Sequence, residues 1–227
     1  MEQQLKSKGK CLFCSLEFEQ KEIGKHIGKH LSEMEKEHNA KTTESYHHIV
    51  VEAYEMFLHI LLQSESKMKV LDNFLRDIWL DCCGHLSNFG HKNFRIKMSD
   101  TIADIFVPKV KIYHDYDYGS TTRVELKAIK TYELHLKEDF MLLSRNEPLQ
   151  LICSVCKDLP AEYLCSVCIW ESEAFLCEHC AVKHEETCGD FADYARMPIV
   201  NSPRMGVCGY EGGSIDKERD GAYKNSL

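Results

Sequence analysis

The sequence predicts an α+β fold: a central antiparallel sheet with a packed helix, flanked by small zinc-binding modules. Three observations carry this. Short runs of alternating apolar residues recur between residues 49 and 150, the period of half-buried strands. One stretch, Val70 to Asp81, sets Val70, Leu71, Phe74, Leu75, Ile78 and Trp79 at helical spacing. Cysteines come in CxxC pairs on both sides of this region.

The chain begins with a lysine- and glutamate-rich segment. KCLFCSLEFEQKEIGKHIGKH gives C-x2-C-x11-H-x3-H at Cys11, Cys14, His26 and His30. This resembles a C2H2 finger one residue short between its ligand pairs, with Phe18 and Ile23 at the two core positions. A lysine-rich amphipathic helix with incidental histidines is the competing reading. Lys21, Lys25 and Lys29 recur at i, i+4 and i+8, a basic stripe that reads as a solvated face before it reads as a phosphate contact. Gly24 and Gly28 weaken such a helix. The finger is expected over residues 1–38, as a separable unit on a polar linker, 39–48.

The α+β domain is expected over 49–150. Tyr54 to Gln63 reads as a strand, and Gly84 is available to end the helix that follows. NFRIKM alternates Phe94, Ile96 and Met98 as a strand would. Ser99 is placed to cap a short helix carrying Ile102, Ile105 and Phe106, which Pro108 stops. KVKIYHDY and RVELKAI flank DYGSTT as a hairpin, and Phe140 to Leu143 adds a strand. A sheet with one long helix across a face is the economical packing.

LDNFLRDIWLDCCGHLSNF, then IADIF, then KIYHDYDYGSTTRVELKAI is similar to the plasmid pRiA ORF-three-like domain family. Within it, the segment more closely resembles the insertion-element passengers labelled "TnpR family". The likeness covers roughly residues 49–147 and continues into the cysteine block and NSPRMGVCGY. It implies membership but no chemistry, because the family has no established activity. Nor does the label imply a resolvase: that reaction needs a nucleophilic serine beside an arginine cluster, and the seven arginines here are scattered singly.

The cysteine block, expected over 151–190, reads C-x2-C-x8-C-x2-C-x8-C-x2-C-x3-H-x3-C. Its ligands are Cys153, Cys156, Cys165, Cys168, Cys177, Cys180, His184 and Cys188. They suit two tetrahedral structural zincs with no open position. A tandem wiring would join the first two pairs; a cross-brace would join the first pair with the third and the second with His184 and Cys188. AVKHEETC reads as a short helix with His184 and Cys188 one turn apart, which favours the cross-brace. The pattern also resembles B-box-type modules, which interleave their pairs in this way. With so few apolar residues, the metal would be the fold.

Three cysteines remain. DCCGH could supply a further metal site, Cys82, Cys83 and His85 with His91, or a reactive thiol beside an imidazole. Packing as two small buried hydrophobes at a helix end is preferred. Cys208 sits between glycines that suggest a tight turn with its thiol inward. His114, Asp115 and Asp117 beside Gly119 form a possible polar constellation of ordinary turn residues. Residues 191–210 are expected to pack on the core and 211–227 to form a disordered tail.

Net charge is −8, and residues 151–227 carry seven basic against thirteen acidic side chains. An acidic chain has no general attraction for phosphate backbones, which disfavours nucleic acid as the main partner. The N-terminus lacks a signal-like apolar run, and the CxxC pairs suit a reducing compartment, so a cytoplasmic protein is expected. Together these features predict a non-enzymatic binding or adaptor protein with about three structural zincs, no membrane association and a protein partner. Nucleic-acid binding for a mobile element, and an enzyme using Cys82, Cys83 and His85, are the alternatives.

Overall fold

In the computed structural model of the chain, residues 7–37, 44–170 and 174–220 are described. They fall into two units: Met1–Phe74 with Leu86–Glu147, and Leu75–His85 with Pro148–Leu227.

The first unit is built on one eight-stranded antiparallel sheet. In chain order its strands are β1 (Lys8–Cys11), β2 (Glu17–Glu19), β3 (Glu44–Ala53), β4 (Met56–Gln63), β5 (Ser87–Gly90), β6 (Lys111–Tyr116), β7 (Thr122–Leu134) and β8 (Phe140–Asn146). Their spatial order is β2-β1-β8-β4-β3-β7-β6-β5. The α+β class is therefore as the sequence predicts, including the β6–β7 hairpin and the strand beginning at Phe140.

Helix α1 (Gln20–Glu37) buries Ile23, Ile27 and Leu31, four residues apart on one face. They form one cluster with Tyr46, Phe57, Leu61, Tyr132, Leu134 and Leu143 of the sheet. Burying three such side chains contributes roughly 5–9 kcal/mol before chain entropy is counted. Gly24 and Gly28 have a packing role here. A Cβ on Gly24 would stand 3.0 Å from His59 Cε1, and one on Gly28 would stand 3.2 Å from Tyr132 Oη. Their lack of a side chain lets α1 lie close against the sheet.

The finger, expected as a separable unit over residues 1–38, shares the sheet and core of the first unit. Strand β1 pairs with β8 at Gly9–Asn146, Lys10–Arg145 and Cys11–Ser144, occupying an edge that would otherwise present unpaired amides and carbonyls. The expected linker, 39–48, is also shorter: β3 begins at Glu44, and residues 38–43 lie outside those described. Tyr54, expected to open a strand, instead sits in the β3–β4 turn at φ 53°.

Helix α2 (Met68–Leu75) starts two residues before Val70, and a π turn, Arg76–Leu80, continues it. Gly84, at φ +78°, follows the helix end, and its amide donates to Asp81 Oδ1 at 2.8 Å. The strand expected over Phe94–Met98 is absent. Only an isolated bridge, Gly90 to Arg95, marks that stretch, and Phe94 stacks on His91 instead of entering the core. Helix α3 (Ile102–Ile105) is capped by Thr101, not Ser99, through a reciprocal pair of hydrogen bonds with Asp104.

Two buried polar groups organise the first unit. Asp72 accepts from Lys69 Nζ at 2.7 Å and Ser87 Oγ at 2.6 Å, and pairs with His114 Nε2 at 2.8 Å, tying α2 to β5 and β6. Burial alone would raise its pKa, but these hydrogen bonds outweigh it and hold the carboxyl well below the usual range. His48 Nε2 meets His59 Nδ1 at 2.9 Å between β3 and β4. Burial drives both imidazoles toward the neutral form, His48 down to about 3 and His59 to about 4. His59 also lines a cavity of about 530 Å³ with Lys21, Lys25, Glu52 and Lys127.

The second unit contains a three-stranded sheet, β9 (Tyr163–Cys165), β10 (Phe175–Leu176) and β11 (Arg196–Pro198), with β9 central. Helix α4 (Glu178–Glu185) follows β10. The zinc-type module runs past its expected end at 190. Phe191 and Ala195, in a π turn, share one cluster with Cys153, Cys165, Cys177 and Cys180. Arg196 clamps the module by stacking on Tyr163 at 4.0 Å and donating to Glu185 at 2.8 Å.

The segment 191–210 packs within this second unit, where Ser202 Oγ donates to the Trp79 carbonyl at 2.6 Å. The expected disordered tail is ordered as far as residue 220. Ser214 N donates to the Asp77 carbonyl at 2.7 Å, and Gly213 lies against the Ile78 carbonyl so closely that a Cβ would collide with it. Helix α5 (Lys217–Asp220) ends the described chain, and residues 221–227 lie outside it.

Candidate metal centres

Four groups of cysteine and histidine side chains each bring their ligand atoms within 4.8 Å of one another. All twelve cysteines are free thiols. For a tetrahedral ion with metal–sulfur bonds of about 2.3 Å, adjacent sulfurs stand about 3.8 Å apart. That spacing is the test each group must meet.

The first group is Cys11, Cys14, His26 and His30. The β1–β2 turn builds its cysteine half: Cys11 N donates to the Leu16 carbonyl at 2.9 Å, and Ser15 N to the Cys11 carbonyl at 2.8 Å. Helix α1 supplies both histidines from one face, with His26 Nε2 3.1 Å from His30 Nε2 and 3.2 Å from Cys14 Sγ. Phe18 stacks on the His26 ring at 4.0 Å, fixing its plane. Burial first, then the neighbouring His30 and Lys29, lowers the His26 pKa and favours the neutral, ligating imidazole. Lys21, Lys25 and Lys29 lie on the exposed side of the same helix.

The second and third groups interleave. Cys153 and Cys156 meet Cys177 and Cys180, whereas Cys165 and Cys168 meet His184 and Cys188. The structure therefore has the cross-brace arrangement and not the tandem one. Cys156 Sγ lies 3.9 Å from Cys177 Sγ, and Cys188 Sγ lies 4.0 Å from both Cys165 Sγ and Cys168 Sγ. These spacings fit a tetrahedral ion. Cys177 precedes α4 while Cys180 is within it, so the helix start serves one group. Its far end serves the other, because Cys188 N donates to the His184 carbonyl at 2.8 Å and keeps the two ligands one turn apart.

Protonation in these groups reflects crowding. Burial and then the Cys153 and Cys177 thiols push Cys180 up to about 12. Burial and the Cys165 thiol do the same to Cys168, also to about 12. Burial would raise Cys153 too, yet hydrogen bonds at the backbone of Cys177, Cys156 and Val155 hold it at about 6. Without a cation, one thiolate in a group disfavours the next; a dication removes that conflict. His184 Nε2 is also buried with no hydrogen-bond partner.

The chain matches no family model and no curated protein. A solved structure from Methanosarcina mazei Go1, described as a protein of unknown function, superposes with a TM-score of 0.37. Its identity is 11%, over 46% of this chain and 68% of that one. So slight a likeness carries no argument, and the donor sets themselves are the guide. Cysteine and histidine in fours, at these distances, are compatible with zinc. Among the described residues no helix is long and apolar enough to cross a membrane.

The fourth group corrects the sequence reading. Cys82 and Cys83 are not two buried hydrophobes: Cys82 is half-buried and Cys83 exposed. They gather with His85 and Cys208, not with His91, whose Nδ1 accepts from Asn93 N at 3.2 Å. Cys208 does occupy a tight turn, at φ 52° near Gly206 and Gly209, but it is exposed. No spacing rule joins Cys208 to this cluster, because 125 residues separate it from Cys83.

The constellation at Asp115 and Asp117 separates in the structure. Asp115 takes a two-pronged contact from Arg123, at 2.6 and 2.7 Å, and His114 turns to Asp72. Asp117, at φ 64°, accepts from Gly119 N at 3.0 Å and shapes the turn.

Proposed function

We propose that the chain is a non-enzymatic zinc protein that acts as a binding or adaptor module towards another protein. The carrying observation is that the finger and both halves of the cross-brace each supply four ligand atoms within 4.8 Å. Four protein ligands fill a tetrahedral zinc and leave no position for substrate or activated water, so the ions hold structure. About three zincs per chain follow.

A protein partner is favoured by what the second unit leaves in solvent. Val155 and Val167, each inside a CSVC knuckle, are exposed, as are Leu159, Val182 and Tyr194. Exposed apolar side chains on so small a module suit a protein surface better than a phosphate backbone, and net charge of −8 argues the same way. Nucleic acid is the second reading; the exposed stripe of Lys21, Lys25 and Lys29 favours it locally. Membership of the plasmid ORF-three-like family and its insertion-element passenger subgroup belongs to the same proposal and rests on the quoted motifs. A reducing compartment, the cytoplasm, belongs to the same proposal and is supported by the CxxC pairs of the sequence.

The test combines metal content with partner capture. Purified protein should carry zinc in the finger and both cross-brace sites. Capture of a protein partner from the native cell should fail with Val155→Asp and Val167→Asp while zinc content is kept. Retention on heparin that fades with salt, with capture unchanged in those variants, would turn the reading to nucleic acid.

A further inference from the structure

We propose that Cys82, Cys83, His85 and Cys208 form a fourth zinc site, which staples the loop after the Arg76–Leu80 turn to the 206–209 turn of the same unit. It is a separate site from the three above and does not depend on their occupancy.

The distances are those of a coordination shell. Cys83 Sγ stands 3.8 Å from both Cys82 Sγ and Cys208 Sγ. His85 Nε2 stands 3.0 Å from Cys83 Sγ and 3.3 Å from Cys208 Sγ. All four ligand atoms lie within 4.8 Å of one another. A disulfide would need sulfurs about 2.05 Å apart, so no pair here is one. Three sulfurs and one imidazole nitrogen make a borderline-soft tetrahedral set, which suits zinc.

Independent features aim these ligands. Asp81 Oδ1 accepts from Gly84 N at 2.8 Å, closing a turn that puts both thiols and the His85 ring on one loop. The Arg76 guanidinium donates to the His85 carbonyl at 2.8 Å and holds the loop from behind. Cys208 adopts φ 52°, a left-handed conformation that a cysteine rarely takes, and Gly206 and Gly209 on either side are left-handed as well. Such a backbone persists only when its surroundings impose it. Arg204 Nη2 lies 3.5 Å from Cys82 Sγ, a cation placed to favour its thiolate. An exposed pair, Cys83 and Cys208, would be open to oxidation as free thiols. Coordination accounts for their convergence and protects them.

The experiment uses the full chain loaded with zinc alone. Native mass spectrometry should count four zincs, with Cys208→Ser and His85→Ala each reduced to three. N-ethylmaleimide should leave Cys83 and Cys208 of the wild-type protein unmodified until a chelator is added. This arm needs no variant and holds even if a substitution unfolds the unit. As the most exposed of the four, this site should release its zinc first. Three zincs, with Cys83 and Cys208 freely alkylated, overturn the fourth site and leave the preceding proposal standing. A zinc-free Cys83–Cys208 disulfide overturns it too. Fewer than three zincs, with thiols of the cross-brace alkylated, counts against the preceding proposal instead.

Discussion

Cys156 and Cys177 hold their sulfurs 3.9 Å apart although the whole second cysteine pair lies between them in the chain. The two C-terminal sites are therefore threaded through each other. Each closes a loop that contains ligands of the other.

Interleaving makes the block fail as a whole. Cys165→Ser removes a partner of His184 and Cys188, and with it the anchor at the far end of α4, whose near end carries Cys180. The expected outcome is loss of about two zincs per chain and unfolding of the module, since the metal supplies on the order of 10–16 kcal/mol in such units. Zinc analysis beside far-ultraviolet circular dichroism checks this. Retention of one full zinc in Cys165→Ser that Cys188→Ser then abolishes would mean that the sites act independently, as in a tandem module.

The finger should be inseparable from the sheet. Deleting residues 1–38 removes the strand paired with β8 and uncovers Tyr46, Phe57 and Leu143. Loss of cooperative unfolding is expected in denaturant titration. A milder variant, Ile27→Ala, should cost about 2–5 kcal/mol while keeping the finger's ligands in place. A truncated protein that unfolds at the wild-type midpoint would show that the packing of α1 is energetically idle.

Asp72→Ala should be among the most damaging single changes in the first unit. It leaves His114 buried without its carboxylate and removes an acceptor from Ser87 and Lys69. Leaving a buried polar group without its partner costs about 1–3 kcal/mol. Equilibrium unfolding near neutral pH measures it, and a loss below about 1 kcal/mol would show that the network is replaced by water.

The His48–His59 pair should make the first unit acid-sensitive. Both folded-state values, about 3 and about 4, lie below the ordinary 6.5. The unfolded chain therefore takes up protons first, so the stability is fully present above about pH 6.5. It is lost as pH falls through about 4 and then 3. The slope should approach two protons per molecule between about pH 6 and pH 4. His48→Leu with His59→Leu should flatten that slope, leaving the contributions of His47 and Asp72 and the acid release of metal. An unchanged slope in the double variant would place the proton uptake elsewhere.

The elements legible in the sequence were those with one strong local signal. The hairpin at β6–β7 alternates cleanly, α2 has helical spacing, and the cysteine pairs announce themselves. The whole of β3, Glu44–Ala53, is absent from the sequence reading, in part because His47 and His48 are polar letters in buried positions, with His47 Nδ1 2.9 Å from Ser64 Oγ and His48 paired to His59. The glycines of α1 looked like defects because their use, close contact with His59 and Tyr132, is tertiary. Phe94, Ile96 and Met98 alternate without forming a strand, since Asp100 Oδ2 accepts from Lys97 N at 2.7 Å and bends the chain there. The cross-brace is legible through α4, a local feature that sets His184 and Cys188 one turn apart. The fourth cluster needed Cys208, which no local feature connects to Cys83.

Because Leu75–His85 belongs to a unit otherwise made of Pro148–Leu227, that unit cannot be finished in the order in which it is synthesised. Ile78, Trp79 and Leu80, all buried in the folded chain, leave the ribosome about seventy residues ahead of Pro148. At about 5–20 residues per second, that is a wait of roughly 3.5–14 s with a tryptophan and two aliphatic side chains lacking most of their unit. A nascent chain stalled in that interval is the species on which chaperones should act, and metal supply cannot rescue it until the last cysteines have been translated.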